Sequence, residues 1–198
     1  MTTNQCAHLI AGGFPPGSAA GHDMDYARLQ LLQKLQFEDQ LTVTVANDFQ
    51  DIERWLPGTD FLLTYVAGPY PEGAGNEALQ TWLEQGGRWF ALHGTSGGKA
   101  VKTEHEGRPV KKMIKAEHHR TLGCFFLNHP PIRKFRVDVR DPDHPLTRGL
   151  PKAFDVMDEL YLLELQAPDE SRVLLSTSDL PADDPAPRTF GFTYGEDT

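Results

Sequence analysis

Three histidines stand in places where core packing alone does not ask for an imidazole: His22, His93 and His129. His22 follows an apolar run and a pair of glycines. His93 closes a second apolar run and opens the glycine-rich stretch GTSGG, and His129 lies in NHPP, held by two prolines. The carboxylates nearest to these motifs are Asp23, beside His22, and the pair Asp158-Glu159. Imidazoles grouped with carboxylates suit general acid–base catalysis or the binding of a divalent metal. No H-E-x-x-H or other recognised metal spacing is present, so no cofactor is certain and a divalent metal remains an open alternative. The competing reading keeps His93 as a core histidine with satisfied nitrogens, in a loop whose glycines only serve the turn.

These side chains need a frame. The helical spacing of Leu79, Trp82 and Leu83 predicts a helix over 76–85, ended by Gly86-Gly87. The apolar run at 89–92 then predicts a strand covered on both faces. Upstream, strands are expected at 8–13, 41–46 and 61–66, with helices at 26–35 and 52–56; Asp23 or Asp25 is placed to cap the first helix. Strands alternating with helices over such distances imply βαβ crossovers, hence an α/β fold with a mainly parallel sheet of five or more strands and helices on both faces. Parallel strands end on one edge, which brings His22 and His93 together there. All three histidines are expected in one pocket at that edge, with Asp158 or Glu159 close by.

Other residues read more plainly. His144, in the cluster DPDHP, is a turn residue, and His8 sits in the first strand, where burial explains it. Between 99 and 120 the chain carries seven Lys or Arg against three Glu. A helix over 111–119 is expected there, with His118 and His119 on the surface. That segment is read as a solvated face, or else as a mobile lid or rim that attracts an anionic or hydroxylated ligand, or packs on a partner subunit of a homo-oligomer. Beyond it, strands are expected at 124–127, 135–139 and 173–176, and 154–165 contains DELY, the polar pair Asp158-Glu159 at the head of an apolar run. The tail 179–187 reads as a loop.

With 198 residues the chain is expected to be one domain with a single core. Its net charge of −9 argues against non-specific binding to nucleic acid or anionic membranes. No apolar run has the length of a membrane span and the start lacks a signal peptide's pattern. Cys6 and Cys124 are too few for a disulfide scaffold, so reduced thiols in a cytoplasm are the default.

Taken in order, Gly12-Gly13 with His22-Asp23, GGRWFALHG, LGCFFLNHPP, DPDHPLTRGLP and DELY resemble the ThuA family, named for trehalose utilisation. The resemblance runs from about residue 8 to residue 176. It implies the flavodoxin-like three-layer sandwich of class I glutamine amidotransferases. In those enzymes the strand after the double glycine ends in a G-x-C-x-G elbow, and the cysteine's place falls here on His93. An imidazole cannot form the thioester of glutaminase chemistry, so amidotransferase activity is not expected. The resemblance implies instead carbohydrate catabolism, on a disaccharide or its keto derivative. His22, His93, His129, Asp158 and Glu159 are then the expected catalytic groups, and Asp23, Thr95, Tyr65 and Tyr161 the substrate-binding ones. A non-catalytic sugar-binding module and a metal-dependent hydrolase are the alternatives. ThuA-like chains usually continue with a tryptophan-bearing strand and a G-H pair, whereas this one stops after TFGFTYGEDT, so a shortened C-terminus is expected.

Overall fold

The computed structural model describes residues 4–13, 22–105 and 107–179. The glycine- and proline-rich loop before His22 and the tail expected at 179–187 therefore lie almost wholly outside the described residues. Two compact units emerge, one formed by residues 1–99 with 114–125, the other by 100–113 with 126–198.

The first unit is a parallel sheet in the order β2-β1-β3-β4. Its strands are β1 (Gln5–Gly12), β2 (Leu41–Ala46), β3 (Phe61–Val66) and β4 (Arg88–Leu92), and α1 (Met24–Leu35), α2 (Ile52–Trp55) and α3 (Gly73–Glu84) connect them in turn. All three pairings are parallel and in continuous register, from Gln5 opposite Leu41 to Tyr65 opposite Leu92. Side chains alternate across a strand, so each strand feeds two layers. Ile10, Leu62 and Val66 pack with Ile52, Leu56, Leu79 and Trp82 on the α2–α3 face. Leu9, Ala11 and Leu63 point to the other face, where α1 lies against β1 and β3. The result is the α/β sandwich with helices on both faces that the alternation implies. Ile10, Leu62 and Leu79 are wholly buried, each worth roughly 1.5–3 kcal/mol of transfer from water.

Among the described residues the parallel sheet has four strands, where five or more were expected. The reason lies after β4. Residues 99–114 do not cross over to a further parallel strand; they double back as the hairpin β5 (Lys99–His105) and β6 (Arg108–Ile114). Val101, Thr103, Val110 and Ile114 are β-branched and favour extended backbone, and Gly107 turns the chain at φ 74°. The helix expected over 111–119 is corrected accordingly: α4 begins later, at His118, and spans His118–Leu122.

In the second unit β8 (Arg133–Val139) pairs antiparallel with β9 (Ala153–Asp158) and with β11 (Leu175–Ser176), while β10 (Leu162–Leu165) pairs with β7 (Cys124–Asn128), which belongs to this unit from Phe126 on. Phe135, Leu160 and Leu162 form its small core, with Val137 and Val156 against it. The segment 154–165 thus holds parts of two strands, β9 ending at Asp158 and β10 beginning at Leu162. His144 is the turn residue it was read to be, its Nδ1 accepting from Leu146 N–H and its carbonyl from Thr147 and Arg148.

The double glycine before β4 has a physical reason at each position. Gly86 adopts φ 97° past the end of α3. Gly87 lies under the Trp82 indole, where an added Cβ would fall 2.3 Å from ring carbons. Trp82 has little room to yield, being buried and tied by Nε1–H to Thr59 O at 2.8 Å. Gly87→Ala is therefore expected to destabilise the protein by about 1–3 kcal/mol, as overpacking does. Urea unfolding would read this, and an unchanged midpoint would show that the indole can move aside.

Candidate active site

His22 and His93 meet at the carboxyl edge of the parallel sheet. β1 ends at Gly12 and β4 at Leu92, so the residues following both strands emerge on one side. His93 opens a 3₁₀ turn, His93–Ser96, with its backbone at φ 51°. That left-handed conformation costs a non-glycine residue roughly 1–2 kcal/mol and persists only where surroundings enforce it. Nε2 of His93 stands 2.6 Å from Nε2 of His22, their ring centroids 4.7 Å apart. Tyr65, from the end of β3, stacks on the other side of the His93 ring at 5.1 Å and 14°. Two facing Nε2 atoms at this distance require one N–H donor and one lone pair, so a single proton lies between the rings. Both imidazoles are half-buried. A core histidine needs neither that exposure nor a left-handed backbone.

The second unit holds another imidazole–carboxylate arrangement. Nδ1–H of His129 donates to Pro130 O at 2.8 Å, which orients the ring and leaves Nε2 toward Glu159, 3.7 Å from Oε1. Tyr161 stacks on His129 at 5.8 Å and 17°, and Phe126 packs on Tyr161 at 4.5 Å. Among the described residues no group of three or more His, Cys, Asp or Glu stands together so as to hold a metal ion. No helix among them is long and apolar enough to cross a membrane.

Comparison with known proteins decides the family. The family model described as "ThuA: Trehalose utilisation" matches residues 16–194. The chain belongs to the ThuA family. Its fold resembles that of a ThuA-like protein from Bacteroides uniformis, with a TM-score of 0.66 and 19% identity, over 89% of this chain and 69% of that one. A ThuA-like protein from Parabacteroides merdae gives a TM-score of 0.59 and 16% identity, over 88% of this chain and 68% of that one. No functionally curated protein matches.

Within this ThuA-family chain, some expected site residues make contacts of the scaffold. Asp23 is exposed and caps α1, its Oδ1 accepting from Tyr26 N–H at 2.8 Å. Thr95 is wholly buried; its hydroxyl lies 3.1 Å from Thr64 Oγ1 and accepts from Val66 N–H, so it closes the turn onto β3. Asp158 is exposed and accepts from Glu159 N–H at 2.8 Å, a contact of the turn after β9. Of the two neighbouring carboxylates, it is Glu159 that meets an imidazole.

His118 and His119, read as surface residues, are in fact buried, 0% and 2% exposed. The signal was present at i, i+3 spacing: Ala116, His119 and Leu122 share one side of a turn, but the lysines and arginines around them dominate the pattern. Burial, reinforced by the neighbouring His119, pushes the His118 imidazole down to about 4, against the opposing hydrogen bond to Thr95 O.

Two outcomes are expected. His93→Gly removes the imidazole but also the left-handed penalty, so its unfolding free energy should stay within about 1 kcal/mol of the parent; a loss of several kcal/mol would make His93 a packing residue. For His118, the folded-state value lies below the ordinary 6.5, so the unfolded chain binds the extra proton first. Its contribution is complete above pH 6.5 and falls away as pH drops toward 4, by something of order 3 kcal/mol. Urea unfolding across that range should show a steeper decline for the parent than for His118→Gln, and parallel declines would refute the assignment.

Proposed function

We propose that this ThuA-family protein acts on a disaccharide or a keto-sugar derivative in carbohydrate catabolism, by histidine acid–base chemistry. The observation that carries the reading is the His22–His93 pair, Nε2 to Nε2 at 2.6 Å, with His93 held left-handed at the end of β4. Such a pair offers one basic nitrogen and one N–H side by side. A keto-sugar has an acidic C–H beside its carbonyl; one imidazole takes that proton as the enolate forms. Elimination of the glycosidic partner then breaks the C–O bond, and the other imidazole returns a proton to the departing oxygen. Tyr65 supplies an aromatic face beside His93. His129 with Glu159 is a second acid–base pair, and Tyr161 a second such face. Amidotransferase chemistry does not suit the site, because an imidazole occupies the elbow. The sugar is taken as a small soluble ligand, and a cytoplasmic setting agrees with Cys6 and Cys124 both being free thiols.

The test is turnover of oxidised and unoxidised disaccharides, with and without a chelator, by the parent and His93→Gln. Turnover of the keto form is expected to survive the chelator and to fall by roughly 10²–10⁴-fold in His93→Gln, the usual range for a lost acid–base group. Tight binding without turnover would make the protein a sugar-binding module. Chelator-sensitive turnover would make it a metal-dependent hydrolase.

A further inference from the structure

The turn that carries His93 exposes a row of carbonyls, and each finds a donor. Gly94 O accepts from Tyr70 Oη–H at 2.9 Å, as well as from Gly97 N–H. Thr95 O lies 3.0 Å from His118 Nε2. Ser96 O and Gly97 O lie 3.1 and 2.8 Å from His119 Nε2. Both partners of His119 Nε2 are carbonyls, which only accept, so Nε2 carries the proton and donates; Nδ1, 2.8 Å from Ala116 N and 3.0 Å from Ala116 O, is then the acceptor for that N–H. His118 can reach Thr95 O only as a donor as well, which leaves its Nδ1 buried and unpartnered. An orphaned buried nitrogen is a destabilising feature, and a sequence selected for packing alone has simpler choices at that position.

The two rings are themselves held. Tyr70 stacks on His118 at 4.4 Å and 9°, and Phe125 meets His119 edge-on at 4.7 Å. α4 is tied to α3 by Thr121 Oγ1–H to Asn76 Oδ1 at 2.9 Å and by Gly73 N–H to Glu117 Oε2 at 2.9 Å.

We infer that His118 and His119 are positioning residues for His93: by donating to the carbonyls of Thr95, Ser96 and Gly97 they hold the turn that keeps His93 left-handed, with its Nε2 against Nε2 of His22. The inference rests on the reading of His93 as a functional imidazole. A side chain that only fills space would tolerate an isosteric apolar replacement; one that acts by donation tolerates a replacement that keeps the donor.

The experiment compares His119→Leu with His119→Gln, whose amide N–H reaches about as far as Nε2. The first readout needs no activity: NMR of selectively labelled imidazoles, following the proton shared by His22 and His93. That resonance is expected to vanish in His119→Leu and to persist in His119→Gln. With a keto-disaccharide, His119→Leu should lower kcat by roughly 100-fold with KM little changed, as misplacement of a reacting group does, and His119→Gln should recover most of it. A folded His119→Leu that keeps the shared-proton resonance overturns the proposal. Should His119→Leu fail to fold, His118→Phe removes the donor to Thr95 O and keeps a ring against Tyr70; it is expected to shift the resonance, and an unshifted one overturns the proposal. If His93→Gln leaves turnover intact, the functional reading falls, while the resonance still reports on positioning.

Discussion

A backbone carbonyl withdrawn from water has to be paired, and the turn after β4 presents four of them in succession. A regular helix would satisfy such groups along its own axis. Here His93 at φ 51° sets the chain off at an angle that no regular helix follows, so the partners come from elsewhere in the chain: a phenol and two imidazoles. Much of the arrangement between α3 and β7 follows from that need. α4 is only five residues long, too short to be stable by its own propensity. It persists because its histidines are fastened to the turn and its flanks to α3.

The same constraint explains which parts of the fold were legible in the sequence. β1 and β3 announce themselves as apolar runs because they lie inside the sheet, with helices over both faces; β4, expected to be covered on both faces, stands at the sheet's edge and leaves Phe90 44% exposed. The double glycine before β4 was readable because a helix end and a close indole both demand it. The segment 99–120 was not, because its pattern is set by lysines and arginines, of which Lys99, Lys102, Lys112, Lys115 and Arg120 are exposed, while the residues that determine its structure are few. Two histidines amid seven basic residues look like more of the same charge. Only their hydrogen bonds show that they belong to the interior.

The candidate site was legible in its imidazoles and less so in its carboxylates and hydroxyls. Histidines at strand ends are uncommon enough to stand out. An aspartate beside a glutamate is not, and which of Asp158 and Glu159 meets His129 depends on where β9 stops. The chain takes Asp158 for the turn and leaves Glu159 to the imidazole. Likewise Asp23 and Thr95 are polar neighbours of the site in sequence, yet a helix N-terminus and a strand-to-turn junction each claim the side chain first.

The two units share one device for holding an imidazole. Each stacks the ring against a tyrosine, Tyr65 on His93 and Tyr161 on His129, at interplanar angles of 14° and 17°. A near-parallel aromatic face fixes the ring plane without itself consuming a nitrogen. Where one nitrogen is then committed, as Nδ1 of His129 is to Pro130 O, the other is left to act. Stacking sets orientation, hydrogen bonding sets which nitrogen reacts, and the separation of those two tasks is what allows a histidine to be both rigidly placed and chemically free.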